Sequence, residues 1–526
     1  MANKLKIRIQ MKTTKTLFIC VKIIVILFCF FFSEITFSQV NWLAFPDTPV
    51  LSMNPASGMW GAYGQPTVII HNDTFKMWYA VAEGENQFDP ITRGRIHYAW
   101  SVDGVTWTKY PNNPVLDVSG SGQWDGQWLD TPEILWDGTE FKLYYYGDST
   151  YYQGQDHTAL GLATSPDGIN WTRHGKVLEK GEQGDWDGHF IESPAAYYNA
   201  ESGLYALLYT GKDTTGFVQL GLAVSMDGSN FIKYPDYPVI PVGNYPSWND
   251  IAVAAPALIE TNGIIEMWYS GVSFNNGQYD SARVGYAVTL NGVHWIQYPG
   301  NPVLTSDPEH TSSFWAVDVV WDPNDTVYKM YYEDFWLYGD SLNIDTVNSI
   351  FYATAPRDVL FSTNCNTNSI NDTIISSGES IQLWATGGDY FSWDPMDNLS
   401  NPAISNPIAS PDSTTTYTVL IVSNNCITKE EITVTVDQSS KIESNSSKGY
   451  VTVHPNPATI STKISTNIRF NNATFILFNS IGQVVATQNN VNSSEIIVQR
   501  ENLKNGIYFF QIINDGEMQT GKFVIE

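Results

Sequence analysis

Aligned against itself, this chain repeats: five units of about 62 residues follow one another between Phe45 and Asp358. Each opens on a short turn: FPDTPVL at 45–51, YPNNPVL at 110–116, HGKVL at 174–178, YPDYPVI at 234–240 and YPGNPVL at 298–304. A tryptophan follows (Trp60, Trp124, Trp186, Trp248, Trp315), and in four units a proline then stands before an apolar run (Pro66, Pro132, Pro194, Pro256). Next comes an aromatic segment: FKMWYA at 75–80, FKLYYYG at 141–147, LYALLYTG at 204–211, IEMWYSG at 265–271 and YKMYYED at 328–334. Four units close on a strand and tight turn, YAWSVDGVTW at 98–107, LATSPDGINW at 162–171, LAVSMDGSNF at 222–231 and YAVTLNGVHW at 286–295, and the fifth ends degenerately as YATAPRD at 352–358. Every segment is short, aromatic or β-branched, and bounded by Asp-Gly, Asn-Gly or Pro, which is strand and hairpin chemistry. Four strands in each of five units predict an all-β fold, a five-bladed β-propeller over residues 42–360, closed so that few strand edges are free.

In a propeller the innermost strand of each blade starts near the central axis. Residues common to all blades are scaffold, and polar residues peculiar to one blade are site candidates. The repeated S-x-D-G-x-x-W is therefore structure: Asp-Gly makes the turn and the Trp packs between blades. Asp125 and Asp187, each in W-D-G and recurring with Asn249, read as turn formers. Two places before the aligned proline, however, the blades differ: Gly64, Asp130, Glu192 and Ala254, with Asp318 at about the same place in the fifth unit. Asp130 (D-T-P) and Glu192 (E-S-P) are expected to point from adjacent blades into one funnel. Two carboxylates facing each other across a sugar are what glycoside hydrolysis requires, one protonated to release the leaving oxygen and one ionised. An acidic funnel raises one of the two pKa values, which suits the acid. The competing reading is that both carboxylates cap backbone amides at strand starts. Around the same mouth, Trp128, His189, Asp148, His157 and Arg283 are candidates for substrate binding.

With D-x-P in blade two and E-x-P in blade three, residues 42–360 resemble the five-bladed propellers of glycoside hydrolase families 43, 32, 62, 117 and 130. The resemblance implies three acids: an Asp base from blade one, an Asp from blade two that orients and tunes, and a Glu acid from blade three. By position Asp130 matches the tuning Asp and Glu192 the acid. Blade one reads Tyr63-Gly64-Gln65-Pro66 and lacks the base. Three readings follow: a hydrolase whose base comes from elsewhere (Asp318, Glu83 or Asp89); a non-catalytic carbohydrate-binding propeller or adhesin; and, third, a phosphorylase-like enzyme in which phosphate attacks. A similar Asp-box motif decorates sialidases, but those need an arginine cluster, and arginine is scarce here. No organic cofactor is called for. A structural calcium on the axis is implied by the resemblance alone, since no loop has calcium-ligand spacing.

The ends of the chain concern export. Lys4, Lys6, Arg8, Lys12, Lys15 and Lys22 precede the apolar run IIVILFCFFF at 23–32, and Thr36 and Ser38 are small residues before a cut after Ser38. That is a secretory signal over residues 1–38, its core too short to span a bilayer, and no later apolar run is long enough to do so. The full chain carries a net charge of −27, and removing the signal takes it to about −32. Such a surface repels nucleic acid and anionic membranes and fits a neutral partner, a polysaccharide or oligosaccharide. Cys20 and Cys29 leave with the signal, so Cys365 and Cys426 are expected to pair in an oxidising compartment.

Two small β-sandwich domains are expected behind the propeller. Residues 364–437 carry Y-x-x-W-D-P, then NP, then TTTYTV, and resemble PKD-like, immunoglobulin-like modules of Bacteroidetes surface proteins. After a Ser/Asn/Lys-rich linker at 438–449 come VHPNPA (453–458), ILFNSIGQVV (476–485), LKNGIYFFQI (503–512) and TGKFVIE (520–526). In that order they resemble the type A C-terminal sorting domain of the type IX secretion system, over residues 450–526. This implies the secretion machinery as a partner and a secreted or cell-surface location.

Overall fold

A computed structural model gives the architecture. It describes residues 42–526 apart from 45–48, 53–59, 85–92, 151–157, 201, 276, 306–313, 315, 341–342, 357–364, 424–425, 438–450, 468, 481, 502 and 515–516. The signal segment and linker lie outside the described residues.

The fold is all-β, a β-propeller followed by smaller strand assemblies. Its strands fall into five four-stranded antiparallel units in chain order, called blades one to five. Their inner strands are Trp60–His71, Trp128–Trp136, Phe190–Asn199, Ala252–Thr261 and Val317–Asp322. Each pairs with the aromatic second strand of its own unit, as in Asp130 opposite Tyr146 and Glu192 opposite Thr210. Blade five is completed by the start of the described chain: Leu43 and Ala44 pair with Thr354 and Ala353, and Leu51 bridges Ile350. The ring is thereby closed by a strand from the far end of the sequence, which removes two edges that would otherwise stand open.

The aromatic strands are central because they are covered on both faces. All eight residues of Phe141–Asp148 are buried. Neighbouring blades are joined through the S-x-D-G turn. Tyr331 of blade five donates to Gly104 O of blade one at 2.8 Å, Trp78 of blade one to Gly168 O of blade two at 2.8 Å, and Tyr144 of blade two to Gly228 O of blade three at 2.9 Å. The motif's terminal ring lies against the same preceding blade, Trp107 on Tyr331 and Trp171 on Trp78. Within the turn, Ser101 and Asp103 accept the backbone N–H groups of Gly104, Val105 and Thr106. Those bonds hold the Asp103 carboxylate down at about 2. The motif is structure, as expected.

Asp125 and Asp187 do more than form turns. Both are buried. Asp125 accepts from Tyr145 Oη at 3.1 Å and Arg173 Nε at 3.2 Å, and Asp187 from Tyr209 Oη at 2.9 Å and Lys233 Nζ at 2.6 Å. Each ties the second strand of its blade to the outer strand. The repeated Trp124 lies on Tyr145, with ring centroids 5.8 Å apart. A Cβ on Gly147 would come within 2.3 Å of that indole, so glycine there is a requirement of packing.

The strands of 365–437 form a four-stranded sheet with two short two-stranded sheets beside it. Its Leu420, Val422 and Ile427 share a core with Trp268, Tyr286 and Tyr298 of blade four. Cys365 and Cys426 are bonded, with Cα atoms 5.6 Å apart. The described residues from Val451 onward form a separate compact unit. Its own core is built on Phe475, Phe510 and Phe523.

Candidate functional site: two levels of carboxylates on the propeller axis

The inner strands of blades one to four share a backbone irregularity. Each is bulged, between Gly64 and Thr67, Asp130 and Glu133, Glu192 and Ala195, and Ala254 and Ala257. The residue just before the proline takes a left-handed φ: 49° at Gln65, 40° at Thr131, 48° at Ser193 and 49° at Ala255. Such a φ is costly for residues with a Cβ and is held only where the surroundings impose it. Asp130 lies opposite Tyr146 and Glu133 opposite Tyr144, two residues apart on one strand, so both project from the same face. The bulge therefore stacks two levels of side chains, a mouth level (Gly64, Asp130, Glu192, Ala254) and a belt level below it (Thr67, Glu133, Ala195, Ala257).

Blade five corrects the sequence alignment. It has no proline and no bulge. Its strands pair without a break from Val317 opposite Tyr332 to Asp322 opposite Val327, which puts Asp318 opposite Tyr331. Tyr331 occupies the position of Tyr144, so Asp318 belongs to the belt with Glu133, not to the mouth with Asp130 and Glu192. There it acts as a clamp between blades, accepting the N–H of Val68 from blade one and of its own neighbour Val319. Glu133 does the same work, accepting Thr67 Oγ1 from blade one at 3.2 Å and Ala196 N from blade three at 2.9 Å. Burial pushes Asp318 up to about 7; burial together with the charge of Asp318 lifts Glu133 well above the usual carboxylate range. A cavity of about 390 Å³ opens beneath the belt, lined by Glu133, Asp318, Trp136 and Trp321 among others.

At the mouth, Asp130 and Glu192 are brought together but differently held. Trp128 donates its indole N–H to Asp130 Oδ2 at 2.9 Å, and Thr131 its backbone N–H to Oδ1 at 2.9 Å. Burial raises Asp130, and these two donors oppose the rise. Among the described residues no hydrogen bond reaches the Glu192 carboxylate. Burial, and then the nearby charge of Asp130, push it up to about 7, with Lys212 opposing. One carboxyl is thus furnished with hydrogen-bond donors, and the other is raised by burial and a neighbouring charge.

Blade one contributes no side chain at this level, yet the space is filled. A Cβ placed on Gly64 would lie 2.4 Å from Glu333 Oε2 and 2.7 Å from Glu333 Cδ. The carboxylate of Glu333, from the second strand of blade five, sits where a residue-64 side chain would project. On the other side the wall is small and apolar, with Ala254, Ala255 and Ala316 clustered.

Known proteins match the chain in two stretches. Residues 452–526 match the secretion system C-terminal sorting domain, and residues 123–251, which hold Asp130 and Glu192, match the glycosyl hydrolases family 32 N-terminal domain. The chain is an exported, glycosidase-like β-propeller with a type IX sorting tail. An uncharacterized protein of Mycobacterium tuberculosis is 29% identical over 185 residues, 35% of this chain and 56% of that protein, so the match spans little more than half of the relative. An A type blood N-acetyl-α-D-galactosamine deacetylase of Flavonifractor plautii is 28% identical over 144 residues, 26% of this chain and 18% of that protein. Among solved structures, a glycosyl hydrolase from Bacteroides ovatus superposes with a TM-score of 0.47 at 15% identity, covering 61% of this chain and 94% of that one. A β-1,2-mannobiose phosphorylase from Listeria innocua does so with 0.46 at 14% identity, covering 60% and 97%.

The other expected site residues of this propeller divide. Trp128 is buried, with its ring over Gly94, and serves Asp130 through its N–H. Asp148 is buried and accepts from Thr150 N at 2.8 Å and Tyr146 Oη at 3.3 Å, a strand-end anchor facing inward. His189 packs its ring beside Phe190, and its backbone N–H donates to Lys212 O at 2.9 Å. Arg283 is a third exposed, with Nη2 3.7 Å from Asp280 Oδ2. His157 and Asp89 lie outside the described residues, as does the side chain of Glu83. Among the described residues no group of three or more His, Cys, Asp or Glu is arranged to hold a metal ion. Glu133 and Glu333 escaped the sequence comparison. Glu333 had a signal: the second strands carry Ala80, Tyr146, Thr210, Ser270 and Glu333 at one position, and a carboxylate appears in a single blade.

Proposed function

We propose that the propeller mouth hydrolyses glycosidic bonds in extracellular glycan, with Glu192 as general acid and Asp130 as the residue that tunes it. The observation that carries this reading is the unequal treatment of the pair: Asp130 accepts from Trp128 and Thr131, while Glu192 is raised to about 7 by burial and by Asp130. A carboxyl near 7 is still substantially protonated at neutral pH and can give its proton to the departing oxygen as the C–O bond breaks. The wall on the other side, Ala254, Ala255 and Ala316, is small and apolar. The strongly negative chain favours a neutral sugar over a phosphorylated or sulfated one. The match of residues 123–251 to a glycosyl hydrolase domain covers both acids.

The test is release of new reducing ends from a panel of soluble and insoluble polysaccharides by the secreted protein and by Glu192→Gln. Product from the parent and none from a folded Glu192→Gln is the expected result. Gly64 favours a second reading, a propeller that only binds glycan, because blade one itself offers no base. Retention on polysaccharide without product over long incubation would select it.

A further inference from the structure

We propose that Glu333 supplies the third carboxylate of the mouth and acts as the catalytic base that blade one lacks. This inference rests on the hydrolase reading above.

The placement follows from the fold. At the mouth level the second strand of one blade faces the inner strand of the next. Thr210 of blade three accepts the N–H of Ala255 in blade four at 3.0 Å, and Ser270 of blade four donates to Phe314 O of blade five. Glu333 holds the same position in blade five, since Glu333 N donates to Ala316 O at 3.0 Å just as Ala80, Tyr146, Thr210 and Ser270 lie opposite the mouth residues of their blades. The blade that follows five is one, and the residue it faces there is Gly64. Two blades use a short hydroxyl at this position to stitch the ring. Blade five sends a longer carboxylate, and blade one has removed its side chain to admit it.

Gly64 is not needed for the backbone. It is absent from the left-handed φ positions, in contrast to its neighbour Gln65. The three heavy atoms nearest to a Cβ built there all belong to the Glu333 carboxyl group, at 2.4, 2.7 and 3.2 Å. In an aspartate the carboxyl oxygens stand about 2.4 Å from Cβ by ordinary bond geometry. The Glu333 carboxylate therefore overlaps the space that an aspartate side chain at 64 would enter. One function has been moved from one blade to its neighbour, and the two positions are complementary.

The chemistry balances without a further reactant. Glu333 takes a proton from water as the water oxygen bonds to the anomeric carbon. The glycosidic C–O bond breaks, its electron pair leaves with the oxygen, and that oxygen takes the Glu192 proton. Glu333 ends protonated and Glu192 ionised, and exchange with solvent resets both.

The experiment compares the full chain with Glu192→Gln, Glu333→Gln, Glu333→Ala and the double variant Gly64→Asp/Glu333→Ala, on a polysaccharide the parent cleaves. Glu333→Gln should lower hydrolysis by about 100-fold or more, the scale of general-base catalysis. Azide, which attacks without losing a proton, should restore turnover to Glu333→Ala and yield a glycosyl azide. The double variant returns a carboxylate to the vacated volume and should regain at least about tenfold over Glu333→Ala, a tenth or more of the loss expected for a general base. Glu333→Gln within threefold of the parent, beside an inactive Glu192→Gln, overturns the role of Glu333 and leaves the hydrolase reading standing. Loss of activity with neither azide product nor recovery in the double variant overturns it too, and reduces Glu333 to packing. A parent that releases no product overturns both.

Discussion

The mouth and the belt of the funnel are made of the same material and serve opposite ends. Each level has an Asp and a Glu on neighbouring inner strands or across the axis, and each has carboxyls lifted towards neutrality by burial. They differ in what the oxygens touch. Glu133 and Asp318 accept backbone and hydroxyl donors from other blades, so they are spent on holding the ring together. Glu192 has no such partner among the described residues, and Asp130 takes its donors from its own strand. A raised pKa alone does not mark a catalytic group; a raised pKa on a group the scaffold does not use is the better sign.

Substitutions at the two levels test that contrast. The largest effect is expected at Glu192: Glu192→Gln should cut hydrolysis by about 1,000-fold, within the range general acids contribute, with an unchanged melting midpoint. Next, Asp130→Asn removes the charge that helps raise Glu192. Activity should fall by about tenfold to 100-fold, a general-acid-scale loss. In the parent, kcat/KM should decline as pH rises through about 7, because Glu192 loses its proton, and in Asp130→Asn that decline should begin at lower pH. Kinetics across pH 5–9 separate these outcomes.

In the smaller sandwich, Cys426→Ser removes a bridge spanning 61 residues and should destabilise that part by about 2–5 kcal/mol, read by chemical denaturation, with hydrolysis kept. The smallest effect is at the belt. The folded protein keeps protons on Glu133 and Asp318 to higher pH than the unfolded chain does. Their contribution is therefore fully present below the ordinary carboxylate range and is lost as pH rises towards about 7. Glu133→Gln takes away one of the buried charges and should flatten that decline, raising the melting midpoint at pH 8 by about 2 °C relative to the parent. A midpoint that falls at every pH would mean that the charge itself is needed by Thr67 and Ala196.

The propeller was legible because its turns repeat in sequence: S-x-D-G-x-x-W writes out a local hydrogen-bonded turn and its packing ring together. Asp130 and Glu192 were legible because the proline two places on marks the bulge that aims them. Asp318 was misplaced by that reasoning, since blade five has no bulge and its strand reaches the same depth with one residue fewer. Glu333 was harder still. Its role depends on which blade follows the last one, a fact created by ring closure through Leu43 and Ala44 and absent from any local pattern. Trp128 was a candidate for substrate binding, but whether an indole is exposed or buried under a neighbour is decided by packing, here over Gly94.

The most direct test sets the two levels side by side: hydrolysis rates of folded Glu192→Gln and Glu133→Gln against the parent on one cleaved polysaccharide. Loss of activity in Glu192→Gln, with Glu133→Gln within about threefold of the parent, is expected if only the mouth carries general-acid chemistry. Equal losses in both, or activity retained in Glu192→Gln, would contradict it.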